Sequence, residues 1–284
     1  MSIGVVIIDP TAMSGGVRAW MGGEAAPVGL APAADPTAVA AWVAARDLSH
    51  VVLLCRPADH RAARLTATVT SGANPRVAVA TLAVPHSTVA LAGAAMSVLE
   101  AGLAPGEAVA QLQQILSDTI SGAWLPRVTK LRAPSPSFGQ HVRSMLPGGR
   151  GHLALLGAKP VVVRADSGAT IIGTEGTVLV GADAASPAFA GLTRALDRHE
   201  AHALPPVADP QRLYGADGAE FAILGAPRRL TPRPCPVCGE AVAGPACAFC
   251  RALLTEKPSD SRGSHTRVDG SPTPDHLTQK DMVS

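Results

Sequence analysis

Four cysteines late in the chain stand as two pairs, Cys235-Pro-Val-Cys238 and Cys247-Ala-Phe-Cys250, separated by eight residues. Each Cys-x-x-Cys pair presents two sulfurs from one tight turn. Two such turns can surround one Zn²⁺ tetrahedrally at about 2.3 Å. Gly239 permits the positive φ that a turn of this kind often needs. A segment this small buries too little to fold alone, and metal binding would supply folding free energy of order 10 kcal/mol. The spacing predicts structural zinc on Cys235, Cys238, Cys247 and Cys250, with redox dithiols as the alternative. Four protein ligands leave no open position for catalysis. Such a ribbon can serve as a docking surface, a nucleic-acid contact or a staple. Arg228, Arg229, Arg233 and Arg251 flank it, but Phe249 is the one stacking aromatic beside them. Solvated charge is the leading reading, and nucleic acid is not expected.

A second set of chemistry-bearing residues is Arg56, His60 and Arg61, just past an apolar run and at a helix start. Open α/β sheets bind ligands beyond the carboxyl ends of their strands, and helix N-termini favour anions. These three residues are therefore candidates for holding an anionic head group, with solvated surface charge as the bland alternative. Gly148-Gly149-Arg150 could cradle a phosphate but reads more simply as a helix-ending turn. No Gly-x-Gly-x-x-Gly fingerprint follows the first strand, so no dinucleotide is expected. Asp9, His86 and Ser87 contain the residue types of a nucleophilic triad, but no Gly-x-Ser-x-Gly elbow accompanies them, and no catalytic residue is assigned. Cys55 lies in an apolar run and reads as a buried small hydrophobe. Asp197 and Arg198, near His199, read as an exposed helix end.

Positioning these groups requires a core, and composition restricts how it is built. Of 284 residues, 47% are hydrophobic and only 3% aromatic, so Ala, Val, Leu and Ile must fill it. Charged residues are 16%, below the usual quarter or so. The net charge of +2 argues against a strongly basic nucleic-acid binder. The apolar start is cut short at Asp9-Pro10 and lacks a basic lead, so it reads as a core strand. The longest aliphatic stretch, 77–99, is broken by Pro85 and His86 and cannot span a membrane. No disulfide framework is evident, and a cytoplasmic protein is expected.

Strands are predicted at 3–8, 51–54, 77–82 and 128–131. They alternate with helices at 36–46, 59–65 and 89–101, and with one opened by Pro105 that carries Val109, Leu112, Leu116 and Ile120 at helical spacing. Asp35 before Pro36 is an N-cap signal, and Ser137 caps a short helix with Val142 and Met145. Alternation of this kind implies βαβ units and a doubly wound parallel sheet. Short β-rich runs follow at 161–163, 170–172 and 177–180, then a helix from Pro187 carrying Phe189, Leu192 and Leu196, and a strand at 220–224. The expected organisation is an α/β lobe at 1–158, a smaller α+β lobe at 159–230, a zinc ribbon at 231–254 and a polar, disordered tail at 255–284.

Between residues 77 and 163 the chain resembles the DegV family. The resemblance rests on Ser97-Val98-Leu99-Glu100-Ala101, Pro105-Gly106-Glu107, Leu146-Pro147-Gly148-Gly149-Arg150-Gly151 and Leu155-Leu156-Gly157-Ala158-Lys159-Pro160-Val161. The opening Val5-Val6-Ile7-Ile8-Asp9-Pro10-Thr11 is similar to the family's first strand, which ends in Asp-Ser-Thr. The resemblance implies a two-lobed fold that buries a fatty acid between its lobes. It also implies a binding subunit that presents the acyl carboxylate to a separate fatty acid kinase and does no chemistry itself. Several positions depart from the pattern. Ala31-Pro32 stand where the family has a carboxylate-binding hydroxyl, and His60 or Arg61 stands where it has a serine. The family's C-terminal Gly-x-His-x-Gly-Pro-Gly falls on Gly225-Ala226-Pro227-Arg228, without the histidine. Gly263-Ser264-His265-Thr266 resembles it superficially but lies beyond the cysteines. The expectation is a DegV-like lipid-binding protein with an altered carboxylate site. The alternatives are a ribbon-bearing scaffold with a vestigial lipid fold and a nucleic-acid-associated ribbon protein. A protein partner at the ribbon belongs to the scaffold reading.

Overall fold

A computed structural model describes residues 2–9, 17–19, 28–132, 134–145, 151–165, 176–196, 200–206 and 209–254. The readings at 148–150, 170–172, 197–199 and 255–284 lie outside the described residues, as does 263–266.

The apolar runs form the central strands of a five-stranded sheet. Its strands are β1 (Ile3–Asp9), β2 (Arg18–Ala19), β3 (Val28–Pro32), β4 (His50–Cys55) and β5 (Ala78–Ala83), in the order β2-β3-β1-β4-β5. All pairings are parallel except that of the short edge strand β2. Helices α1 (Pro36–Ala44) and α2 (His60–Ala73) cover one face, where Val6, Ile8, Val51 and Leu53 meet Trp42, Val43 and Ala63. Helices α3 (Thr88–Glu100) and α4 (Pro105–Ser117) cover the other, where Val5, Ile7, Val52 and Leu54 are buried. Both faces are dry, so the strands read as continuous apolar runs without alternation. Asp35 caps α1 as its sequence suggests, accepting from the N–H groups of Thr37 and Ala38.

A second sheet has six strands, in the order β10-β9-β11-β6-β7-β8. They are β6 (Ile120–Leu125), β7 (His152–Leu156), β8 (Val161–Arg164), β9 (Val178–Gly181), β10 (Ala201–Ala203) and β11 (Ala219–Ile223). All its pairings are antiparallel except β9 with β10. Helix α6 (Pro187–Leu196) covers one face, placing Leu192 and Leu196 against Val180 and Phe221. Two shorter helices, α5 (Phe138–Arg143) and α7 (Pro210–Tyr214), join its strands. On the opposite face Leu179, Ala222 and Leu224 join the core around α3. Nine residues of α3 are buried, as expected for a helix that is apolar all round. Close approach there needs glycine: a Cβ on Gly93 would come within 2.2 Å of Leu179, and one on Gly181 within 2.6 Å of Val89.

The α/β class with two sheets matches expectation, while several elements differ in detail. The helical spacing that includes Ile120 runs past the true helix end. α4 stops at Ser117, where Asp118 is the C-cap and the Thr119 hydroxyl donates to the Ile115 carbonyl, and Ile120 opens a strand. The strand expected at 128–131 is a turn, with Val128 buried in a cluster with Leu125, Val162 and Tyr214. β6 and β7 belong to the second sheet, so the sheets do not divide the chain at residue 158. β3 carries a glycine and a proline in five residues and gives no strand signal of its own.

Candidate functional site

From β1 the chain passes to β3 on one side, then through α1 to β4 on the other. The two neighbours whose connections diverge are β1 and β4, with Ile8 opposite Cys55 at their carboxyl ends. A crevice of this kind, at the point where strand order reverses, is where open α/β sheets hold ligands. Asp9 ends β1 and Arg56 follows β4. The N-terminus of α3 and strand β11 pack against them, with Thr88 bonded to Asp9 and the Val89 N–H bonded to Glu220.

The groups gathered here are mostly buried and hydrogen-bonded. Asp9 is 1% exposed and accepts a 2.8 Å bond from the Thr88 hydroxyl. Glu220, on β11, is 2% exposed. Its Oε1 accepts from the Tyr214 hydroxyl at 2.7 Å, and its Oε2 accepts from the Val89 N–H at 3.2 Å, in the first turn of α3. Burial pushes the Glu220 carboxyl up from 4.5 to about 7, against the lowering effect of the Tyr214 hydrogen bond; Asp9 raises it further and Arg56 opposes. Tyr214 is raised well above 10, by burial first and by Glu220 second. The Arg56 Nε donates to Asp59 at 3.3 Å. Burial lifts the Asp59 pKa and the Arg56 charge opposes the rise.

Beside this cluster, Ser87 caps α3. Its Oγ accepts from the Ala90 N–H and donates to the Phe221 carbonyl, tying the helix to β11. His86 Nδ1 lies 3.0 Å from the Ser121 hydroxyl, which accepts the Ser87 N–H. Burial lowers the His86 pKa against a hydrogen bond to the Leu116 backbone. Asp9, His86 and Ser87 are thus close, but Asp9 holds Thr88 and His86 faces Ser121.

The three residues expected to share a head group are divided. Arg56 borders the crevice, with its Nε committed to Asp59. His60 and Arg61 are exposed on the outer side of α2, where they line an open depression of about 350 Å³ with Arg64, Leu65 and Thr68. Thr88, Tyr214 and Glu220 escaped the sequence reading. One signal was present: a glutamate inside the apolar run Ala-Glu-Phe-Ala-Ile, a charge on a strand covered on both faces. Cys55 is fully buried, and desolvation raises its thiol to about 12, so it packs as an inert apolar side chain.

The cysteines form a second, separate cluster. All four sulfurs lie within 4.8 Å of one another, with Cys235–Cys250 and Cys238–Cys247 each at 3.5 Å. Tetrahedral thiolates around zinc stand about 3.8 Å apart, so the donor set fits the ion. The two turns repeat one geometry. Gly239 N–H bonds the Cys235 carbonyl and Arg251 N–H bonds the Cys247 carbonyl, both at 2.9 Å. Gly239 has φ +78° and Arg251 has φ +61°. Backbone N–H groups of Cys238 and Val237 lower the Cys235 thiol to about 7, whereas burial raises the Cys238 thiol to about 12. A small hairpin, β12 (Arg233–Pro234) with β13 (Ala241–Val242), frames the first turn. The module is seated on the α/β body. Glu240 reaches His50 Nε2 at 3.0 Å and accepts the Gly106 N–H, in the first turn of α4, at 3.1 Å. Phe249 meets His50 edge-on at 5.0 Å.

Two sheets sharing one buried helix, with a polar crevice at a switch point, define a two-lobed α/β protein. Among solved structures this is the fold of DegV family proteins. A DegV family protein from Corynebacterium glutamicum superimposes with TM-score 0.57 at 12% identity, covering 81% of this chain and 99% of that one. A DegV family protein from Eubacterium eligens loaded with heptadecanoic acid gives 0.55 at 9% identity, covering 79% and 100%. A fatty acid binding DegV family protein from Streptococcus agalactiae gives 0.50 at 11% identity, covering 80% and 99%. No protein-family model matches the sequence, and no curated protein matches it. No helix among the described residues is long and apolar enough to cross a membrane.

Proposed function

We propose that this chain is a lipid-binding protein that holds a long-chain acyl ligand with its head at the crevice of β1, β4 and α3, and that it performs no chemistry on the ligand. The observation that carries this reading is a set of buried polar side chains, Asp9, Thr88 and Glu220, with half-buried Arg56 beside them, at the switch point of a DegV-type fold. Structures sharing the fold include proteins described as fatty acid binding, which supports a lipid as the ligand class. The aliphatic surroundings of α3 suit an acyl chain better than a polar metabolite. Arg56 borders the head-group space, and Arg61, beside His60, adds positive charge outside it. The four cysteines hold one structural Zn²⁺, which when bound fixes the ribbon. Glu240 then keeps the ribbon on α4 and β4. A kinase subunit that accepts the lipid is the partner this reading calls for.

Native mass spectrometry of freshly purified full-length chain tests the proposal. The expected spectrum shows a long-chain lipid adduct that leaves on organic extraction and returns on incubation with long-chain amphiphiles. A bare chain that takes up no amphiphile overturns it.

A further inference from the structure

We propose that α5 and the basic segment leading into it dock the chain on the surface of an anionic lipid bilayer, with the apolar face of α5 in the headgroup region. This surface lies apart from the crevice, and it stands or falls independently of the lipid-binding reading.

The described residues leave seven large apolar side chains exposed, and three of these fall within eight residues: Phe138 is 85% exposed, Val142 45% and Met145 60%. Their spacing, i, i+4 and i+7, is that of one helix face. The segment is nonetheless well anchored. Ser137 and Gln140 form a capping box at the start of α5. Gln140 lies on the opposite side of the helix from Phe138 and Val142. Its Nε2 donates to the Val162 carbonyl at 2.7 Å and holds α5 to the edge strand β8, so the apolar face is turned outward. The Met145 N–H continues the turn onto the Val142 carbonyl at 3.2 Å.

Charge decides what covers this face. From 119 to 165 the sequence holds seven Lys or Arg residues and no Asp or Glu. Arg127, Lys130 and Arg132 are exposed on the segment leading into α5, and none of them joins an ion pair among the described residues. A second copy would bring the same unopposed cations against them, so self-association through this face is disfavoured. A purely acidic protein surface would answer the cations and leave Phe138 in water. An anionic bilayer matches both features, with phosphates for the cations and the acyl boundary for Phe138, Val142 and Met145. Docking is peripheral, since no helix among the described residues is long and apolar enough to cross.

The test is co-sedimentation of the full-length chain with vesicles at about 0.1 M salt. One set is phosphatidylcholine alone and the other is phosphatidylcholine mixed equally with phosphatidylglycerol. Binding to the anionic set is expected to be at least about tenfold tighter. Phe138→Ser, at an exposed position that the fold does not need, is expected to weaken it about tenfold. Arg127→Gln with Lys130→Gln is expected to do the same. Arg64→Gln with Arg76→Gln removes equal charge from an exposed surface elsewhere and should stay within about twofold. Absence of binding to anionic vesicles, unchanged binding of Phe138→Ser, or equal losses from the two charge-removing pairs overturns the proposal. Retention on immobilised polyglutamate without vesicle binding assigns the face to an acidic protein and overturns it as well.

Discussion

The cysteine module draws its ligands from residues 235–250, whereas the crevice draws Asp9, Arg56, Thr88, Tyr214 and Glu220 from elements spread over most of the chain. The module has little core of its own: Cys235, Val242 and Cys247 are its buried apolar residues. Under the zinc reading proposed above, its shape depends on a metal, and it is seated against α4 and His50. The charges of the crevice are held by two sheets that bury α3 between them, and its carboxylates are matched by hydrogen bonds that only the folded chain supplies. One region is assembled by local spacing and an ion, the other by topology.

The largest expected effect separates the two by removing the ion. Under the zinc reading, stripping the ion with a chelator, or Cys247→Ser, should unfold the module by removing folding free energy of about 10 kcal/mol. Metal analysis should read one zinc per intact chain and none after stripping. The Glu240 and Phe249 contacts on the body are then lost, so thermal unfolding of the α/β body itself should shift down. A body that melts unchanged would show the module to be a free appendage.

The second effect belongs to the crevice alone. The folded state raises Glu220 from 4.5 to about 7, so it binds the proton more tightly than the unfolded chain does. The resulting stability is complete below about pH 4.5 and is lost as pH rises through about 7, by about 3 kcal/mol. Denaturant unfolding at several pH values, compared between the unaltered chain and Glu220→Gln, should show that difference in slope, and parallel profiles would contradict it.

Smaller effects refine both seats. Gly106→Ala places a Cβ 2.3 Å from the Ala241 carbonyl oxygen and must push the module off α4. About 2 kcal/mol of lost stability is expected by chemical denaturation, with zinc content unchanged. Arg56→Ala leaves Asp59 without its cation beside Asp9 and Glu220 and should cost about 2 kcal/mol. Arg61→Ala on the outer face of α2 should stay within about 0.5 kcal/mol, measured in the same way. Equal losses for the two arginines would erase the distinction between crevice and surface.

The same contrast explains what could be read from the chain. The cysteines were legible because a tetrahedral site needs only two short turns, and short turns are local. The first sheet was legible because β1 and β4 are dry on both faces and so are unbroken apolar runs. Helical periodicity misled at Ile120, where α4 yields to β6, because an apolar residue opening a strand can fall on the preceding helix's repeat. β3 was silent because a glycine and a proline interrupt its apolar run, although Val28, Leu30 and Ala31 are buried in the core. The crevice was half legible. Arg56 could be placed by its position after an apolar strand, but Asp59 lay beside it in sequence and neutralises it in space. Glu220 and Tyr214 reach α3 only through the second sheet, whose antiparallel register no local pattern specifies.

The central claim is that the lipid head sits at the switch point of β1, β4 and α3. A crystal structure of the full chain grown with a long-chain fatty acid tests it most directly. The account predicts the head group within hydrogen-bonding distance, about 3 Å, of side chains at that switch point, with the alkyl chain leading away into aliphatic side chains. A head group lying instead against His60 and Arg61 on the outside of α2 would contradict it.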